Sequence, residues 1–102
     1  KVQIPGGLAD LARREVCFKD GGRFDLSERE SELLRYLAAN AGRAISREEI
    51  LSRVWRMDPT GIETRTIDMH IARLREKLRD DPSDPKIVRT VRGKGYVFAE
   101  GG

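Results

Sequence analysis

The side chains with chemistry to offer are cations. From Thr64 to Arg79 there are five basic residues (Arg65, Arg73, Arg75, Lys77, Arg79) and two acidic ones (Asp68, Glu76). A second group, Lys86, Arg89, Arg92 and Lys94, has no acidic residue within it. Between them lies an acidic stretch, residues 80–85, with a charge of −3. The formal net charge of the chain is only +3, so the positive charge is concentrated rather than diffuse. This pattern suggests an anionic partner touched at two places.

Catalytic sets are not apparent. One histidine (His70) and one cysteine (Cys17) cannot supply the four ligands of an ordinary zinc site. No serine and aspartate stand around His70 in the arrangement of a triad. Gly93-Lys94-Gly95 is too short for a phosphate-binding loop and precedes a strand rather than a helix. Glu28, Glu30 and Glu32 are better explained by a helix start than by acid–base work. An enzyme therefore has little to stand on, and no cofactor or metal is expected. Cys17 cannot form an internal disulfide and fits a reducing cytoplasm; it reads as a small buried hydrophobe. The chain has no apolar run of 18 or more residues and no signal-peptide pattern, so no membrane span is expected.

The elements that must position the cations can be read in order. The 102 residues are enough for one domain with a modest core. Residues 1–26 read as short antiparallel strands: 1–4, 8–11, 15–19 and 23–26, broken by Pro5-Gly6-Gly7 and Asp20-Gly21-Gly22. Residues 27–80 read as three helices. Ser27 with Glu30, and Ser46 with Glu49, are spaced as capping boxes that open helices of about 12 and 9 residues. Leu33, Leu34 and Leu37, then Ile50, Leu51 and Val54, form their apolar faces.

The third helix runs over residues 63–79. Ile67, Ile71, Leu74 and Leu78 fall in one stripe roughly 60° wide. Arg65, Met69, Ala72, Arg73 and Glu76 occupy the opposite face. Thr66, His70 and Lys77 lie on one flank; Asp68, Arg75 and Arg79 lie on the other. Such a helix is about 24 Å long and would fit a DNA major groove, although a solvated surface helix has the same pattern. Residues 80–85, rich in Asp and Pro, read as an exposed turn. Residues 86–99 read as a β-hairpin whose tip, Arg92-Gly93-Lys94-Gly95, projects Arg92 and Lys94 into solvent. The expected core is completed by Val91, Tyr96 and Phe98.

A basic helix followed by a basic hairpin is the layout of a winged helix. The helix can read bases in the major groove, and Arg92 can enter the neighbouring minor groove. Thr66, Thr90 and the flanking arginines and lysines, Lys77 among them, would anchor phosphates. The connection between the second and third helices is about twice the length a tight helix-turn-helix needs. It is either a plain connector or a docking surface for another protein.

Several stretches carry a family resemblance: 26–34 (LSERESELL), 42–51 (GRAISREEIL), Val54-Trp55, 65–78 (RTIDMHIARLREKL) and 87–96 (IVRTVRGKGY). With these in this order, the chain resembles the C-terminal winged-helix effector domain of OmpR/PhoB-type bacterial response regulators. The resemblance implies an α+β fold: a four-stranded antiparallel N-terminal sheet, three helices and a C-terminal hairpin wing. It implies transcription regulation in a two-component phosphorelay, with the third helix reading direct-repeat half-sites and the wing entering the minor groove.

Carried over by position, Met69 and Arg73 would face bases, while Arg65, Thr66, His70, Arg75 and Thr90 would hold the backbone. Arg92 would make the wing contact, with Lys94 beside it. The 56–63 loop (Arg56, Met57, Asp58, Pro59, Thr60, Gly61, Glu63) would touch RNA polymerase. Two positions depart from the common pattern: Ala72 replaces a frequent basic residue and Met69 a frequent valine. A receiver domain, a cognate sensor kinase and a head-to-tail dimer on DNA are the further partners implied. The receiver lies outside these residues, so the chain is expected to be an isolated domain of a longer protein. The alternative is a protein-docking module that keeps the fold but uses the third helix for a partner protein; it would show little affinity for any duplex at low salt.

Overall fold

The computed structural model describes residues 1–57 and 65–99. Four short strands open the chain: β1 (Val2–Ile4), β2 (Gly7–Asp10), β3 (Glu15–Phe18) and β4 (Arg23–Asp25). They pair in sequence order as one antiparallel sheet, with Ala9 opposite both Val2 and Val16, and Val16 opposite Phe24. Side chains alternate across a strand, so Val16 and Phe18 turn inward with Ile4 and Ala9. The same alternation puts Cys17 on the other face. It is half-exposed, with its Sγ 3.6 Å from the Glu15 carboxylate, which corrects the expectation that it is buried.

Helix α1 (Glu28–Ala39) begins with the full capping box: the Glu30 amide donates to Ser27 Oγ at 3.1 Å and the Ser27 amide donates to Glu30 Oε1 at 2.8 Å. The second box is only half made. Ser46 Oγ accepts from the Glu49 amide, but the Glu49 carboxylate is engaged by the Tyr36 hydroxyl at 2.5 Å and by Arg43 at 2.7 Å. Helix α2 (Arg47–Glu49) runs directly into a π-helical turn (Ile50–Val54), where the Trp55 amide reaches back to the Ile50 carbonyl at 3.2 Å. The wider turn keeps Ile50, Leu51 and Val54 all buried.

Helix α3 (Arg65–Lys77) buries Ile67, Ile71 and Leu74, and Leu78 just beyond it, as its spacing predicts. Each such side chain contributes roughly 1.5–3 kcal/mol relative to exposure. The helix closes at Arg79, whose φ of 58° turns the chain aside. Strands β5 (Val88–Val91) and β6 (Gly95–Phe98) then form the hairpin, with Val88 opposite Phe98 and Thr90 opposite Tyr96.

Two expectations need correction here. Asp80 is not part of an exposed turn: it is 7% exposed. Its carboxylate accepts the amides of Lys86, Ile87 and Val88 at 2.7–3.1 Å, joining the end of α3 to the start of β5. Val91 is only half-buried, because alternation along β5 puts it on the outer face with Arg89. The rest of the expected core is buried. Ile4, Ala9, Val16, Phe18, Leu26, Ile45, Ile87 and Val88 join it.

Candidate nucleic-acid interface

The described part of α3 sorts into an inner stripe, an outer row and two flanks. Arg65, Thr66, Met69, Ala72, Arg73 and Glu76 are exposed. Met69 is 49% exposed in the outer row. Arg73 makes no hydrogen bond or ion pair among the described residues, so its guanidinium is free to donate. Arg65 and Thr66 are also exposed, at the start of the helix.

Lys77, Arg79 and Arg75 of this segment are engaged by the fold, which the charge count alone could not show. Lys77 Nζ lies 2.6 Å from Glu30 Oε1, and Glu30 is 3% exposed. Burial alone would push the Glu30 carboxyl up. The hydrogen bonds from Lys77 and the Ser27 amide outweigh that and hold it below the ordinary carboxylate range. Arg79 donates to Asp20 at 2.7 Å and lies over the Phe18 ring at 4.0 Å, tying the end of α3 to the β3–β4 turn. Arg75 donates from Nε to the Val88 carbonyl at 2.9 Å and from Nη2 to Thr90 Oγ1 at 2.7 Å. The pair expected to hold DNA backbone, Arg75 and Thr90, is thus bonded to itself and fastens β5 to α3.

The opposite flank meets the end of the second helix. His70 Nδ1 is 2.8 Å from the Thr66 carbonyl; a carbonyl only accepts, so that nitrogen carries the proton and Nε2 is left unprotonated in the neutral ring. The His70 ring packs edge-on against Trp55 at 4.9 Å, and the Arg29 guanidinium lies over the Trp55 ring at 4.8 Å. Arg56 and Met57 are exposed beside it. Asp58, Pro59, Thr60, Gly61 and Glu63, the rest of the expected polymerase-contact loop, lie outside the described residues.

The hairpin is attached along the Asp68–Arg75 flank, about a quarter turn from the outer row. Its tip carries Arg92 and Lys94, both exposed, and Arg89 and Thr90 are exposed along β5. No group of three or more His, Cys, Asp or Glu side chains that could hold a metal exists among the described residues. The sequence reading missed Arg47 and Tyr96 as parts of this assembly. Their contacts with Asp68 span 21 and 28 residues, and no local pattern announces them.

An exposed helix row with an arginine free to donate, and a cationic hairpin fastened to its flank, define a winged-helix DNA-binding domain. Residues 21–98 match the family model described as "Transcriptional regulatory protein, C terminal". The chain belongs to this family, which comprises the DNA-binding effector domains of OmpR/PhoB-type response regulators rather than enzymes.

It is 44% identical over 90 residues to the probable transcriptional regulator ycf27 of Galdieria sulphuraria, covering 87% of this chain and 35% of that protein. It is 42% identical over 91 residues to the sensory transduction protein RegX3 of Mycobacterium leprae, covering 89% of this chain and 46% of that one. The chain therefore spans less than half the length of either relative. Among solved structures, it resembles the Klebsiella pneumoniae RstA DNA-binding domain in complex with the RstA box. That match has a TM-score of 0.80 and 33% identity over 96% of this chain and 95% of the other. The DNA-binding domain of CpxR from E. coli matches with a TM-score of 0.76 and 32% identity, over 99% and 97% of the two chains.

Proposed function

We propose that this domain reads a specific duplex with α3 in the major groove, Met69 and Arg73 facing bases, and the wing tip in the adjacent minor groove. The observation that carries this reading is the free guanidinium of Arg73 in an exposed row flanked by a fastened cationic hairpin. Arginine matches guanine O6 and N7, and the Met69 side chain can meet a thymine methyl. Arg65 and Thr66, at the start of the helix, and His70, on its flank, are the candidates for phosphate contact. Arg75, Lys77 and Thr90 act at one remove, by fixing the helix and wing that carry the contacts. Arg92 enters the minor groove, with Lys94 beside it.

The chain is the output domain of a longer cytoplasmic response regulator, joined to a receiver domain that a sensor kinase phosphorylates. It binds direct-repeat half-sites as a head-to-tail dimer. No helix among the described residues is long and apolar enough to cross a membrane. If about six phosphates are engaged, log K against log salt has a slope near −5 on the preferred duplex. Selection of that duplex from a random pool gives half-site sequence and spacing. A slope near zero, or no enrichment over random sequence, rules the reading out.

The 56–63 loop follows Trp55 in the chain, and RNA polymerase is the partner assigned to it. Asp58→Ala is expected to lower transcription at least several-fold with DNA affinity unchanged. Equal loss of both counts against polymerase contact.

A further inference from the structure

The wing and the recognition helix meet at a polar cluster that contains no base- or phosphate-reading residue. The Tyr96 hydroxyl of β6 donates to the Asp68 carboxylate of α3. Arg47, the first residue of α2, donates from Nε to the same Asp68 oxygen at 2.8 Å and from Nη2 to Tyr96 Oη at 3.3 Å. Three elements distant in sequence therefore converge on one carboxylate. The guanidiniums of Arg47 and Arg75 lie 5.2 and 5.5 Å from the centre of the Tyr96 ring. That ring is held from below as well: Tyr96 exchanges both backbone hydrogen bonds with Ile45, at 2.7 and 2.9 Å. The residue is 4% exposed.

We infer that Tyr96, Asp68 and Arg47 are positioning residues that fix the reach from the outer row of α3 to the wing tip, so that both grooves are engaged together. This rests on the two-groove reading above. A two-stranded hairpin is marginally stable by itself and pivots at its root. Arg75 ties β5 to α3, and the backbone bonds to Ile45 tie β6 to the segment before α2, but neither holds β6 to α3 itself. The Tyr96–Asp68 bond supplies that tie, so both strands of the wing are referenced to the helix that carries the outer row. Arg47 neutralises Asp68 and keeps it aimed at the phenol. Burial and the Asp68 bond hold the phenol above its ordinary range, so it remains a donor throughout the neutral region.

The test is a double-mutant cycle on the 102-residue chain with its selected duplex. Tyr96→Phe keeps the ring and removes the hydroxyl; it is expected to weaken binding about three- to tenfold. In an Arg92→Ala background the same change should cost less than twofold, because the wing contact it positions is already gone. In an Arg73→Ala background it should retain its full cost. A merely stabilising role predicts equal costs in both backgrounds, and that result overturns the inference.

Backbone NMR relaxation of the free protein provides a reading independent of DNA. Tyr96→Phe and Asp68→Asn should each raise the mobility of residues 92–94 and leave the α3 amides unchanged. Unchanged wing-tip relaxation in both variants also overturns the inference. If Arg92→Ala binds the selected duplex as the parent does while wing-tip mobility still responds to Tyr96→Phe, the minor-groove reading is the part that fails.

Discussion

Arg73→Ala is expected to lower affinity for the selected duplex by about 1–3 kcal/mol, roughly 5- to 150-fold in Kd, and to relax the preference at one base position. The side chain is exposed and makes no hydrogen bond or ion pair among the described residues, so its removal orphans nothing in the free protein. Stability should change by no more than about 0.5 kcal/mol. The contrast with its helix neighbours is instructive. Arg75→Ala frees the Val88 carbonyl and Thr90, and Lys77→Ala leaves the buried Glu30 carboxylate unpaired, so those changes would confound binding with folding. Arg73 is the cleaner probe. Fluorescence-anisotropy titrations of selected and scrambled duplexes separate the possibilities: equal losses on both would mean that Arg73 meets only phosphate.

The largest effect on stability is expected from Gly95→Ala. Gly95 has φ +131°, and a Cβ there would sit 1.9 Å from the Ile45 carbonyl oxygen and 2.8 Å from Ser46 Cα. The added carbon cannot be accommodated without parting β6 from Ile45, and the two backbone hydrogen bonds between Ile45 and Tyr96 go with it. Strain at that φ and the lost bonds together cost roughly 4 kcal/mol, a large share of the 5–15 kcal/mol typical of a domain. Gly93 supplies the control. It also has positive φ (+77°), but nothing lies within 4 Å of its Cβ position. Gly93→Ala should therefore cost only about 1–2 kcal/mol. Urea denaturation of the two variants decides the matter; a Gly95→Ala protein within about 1 kcal/mol of the parent would mean that this close approach is not essential.

Local rules carried the element order well. Residue spacing located α1 through its capping box and α3 through its apolar stripe, and glycine placement located the wing turn. What escaped the sequence is of one kind: partners chosen across long separations. Glu49 was spaced to complete a cap, but Tyr36 and Arg43 offered its carboxylate better donors. Asp80 looked like part of a solvated acidic turn, yet three successive amides of the incoming strand needed an acceptor there. The basic front of α3 was overcounted for the same reason, since nothing local says that Lys77 meets Glu30 or that Arg79 meets Asp20. The exposure of the residues proposed to touch DNA was legible, because helical periodicity reports exposure directly. The residues that hold them in place were not.

The open space around Gly93 has a further consequence. The root of the hairpin is locked by Asp80, Arg75 and Tyr96, whereas nothing lies within 4 Å of a Cβ at Gly93 in its tip. Insertions or exchanges at residues 92–94 can therefore lengthen or recharge the tip without rebuilding the scaffold beneath. Divergence in target preference has a cheap route there, while the root stays under strict structural constraint.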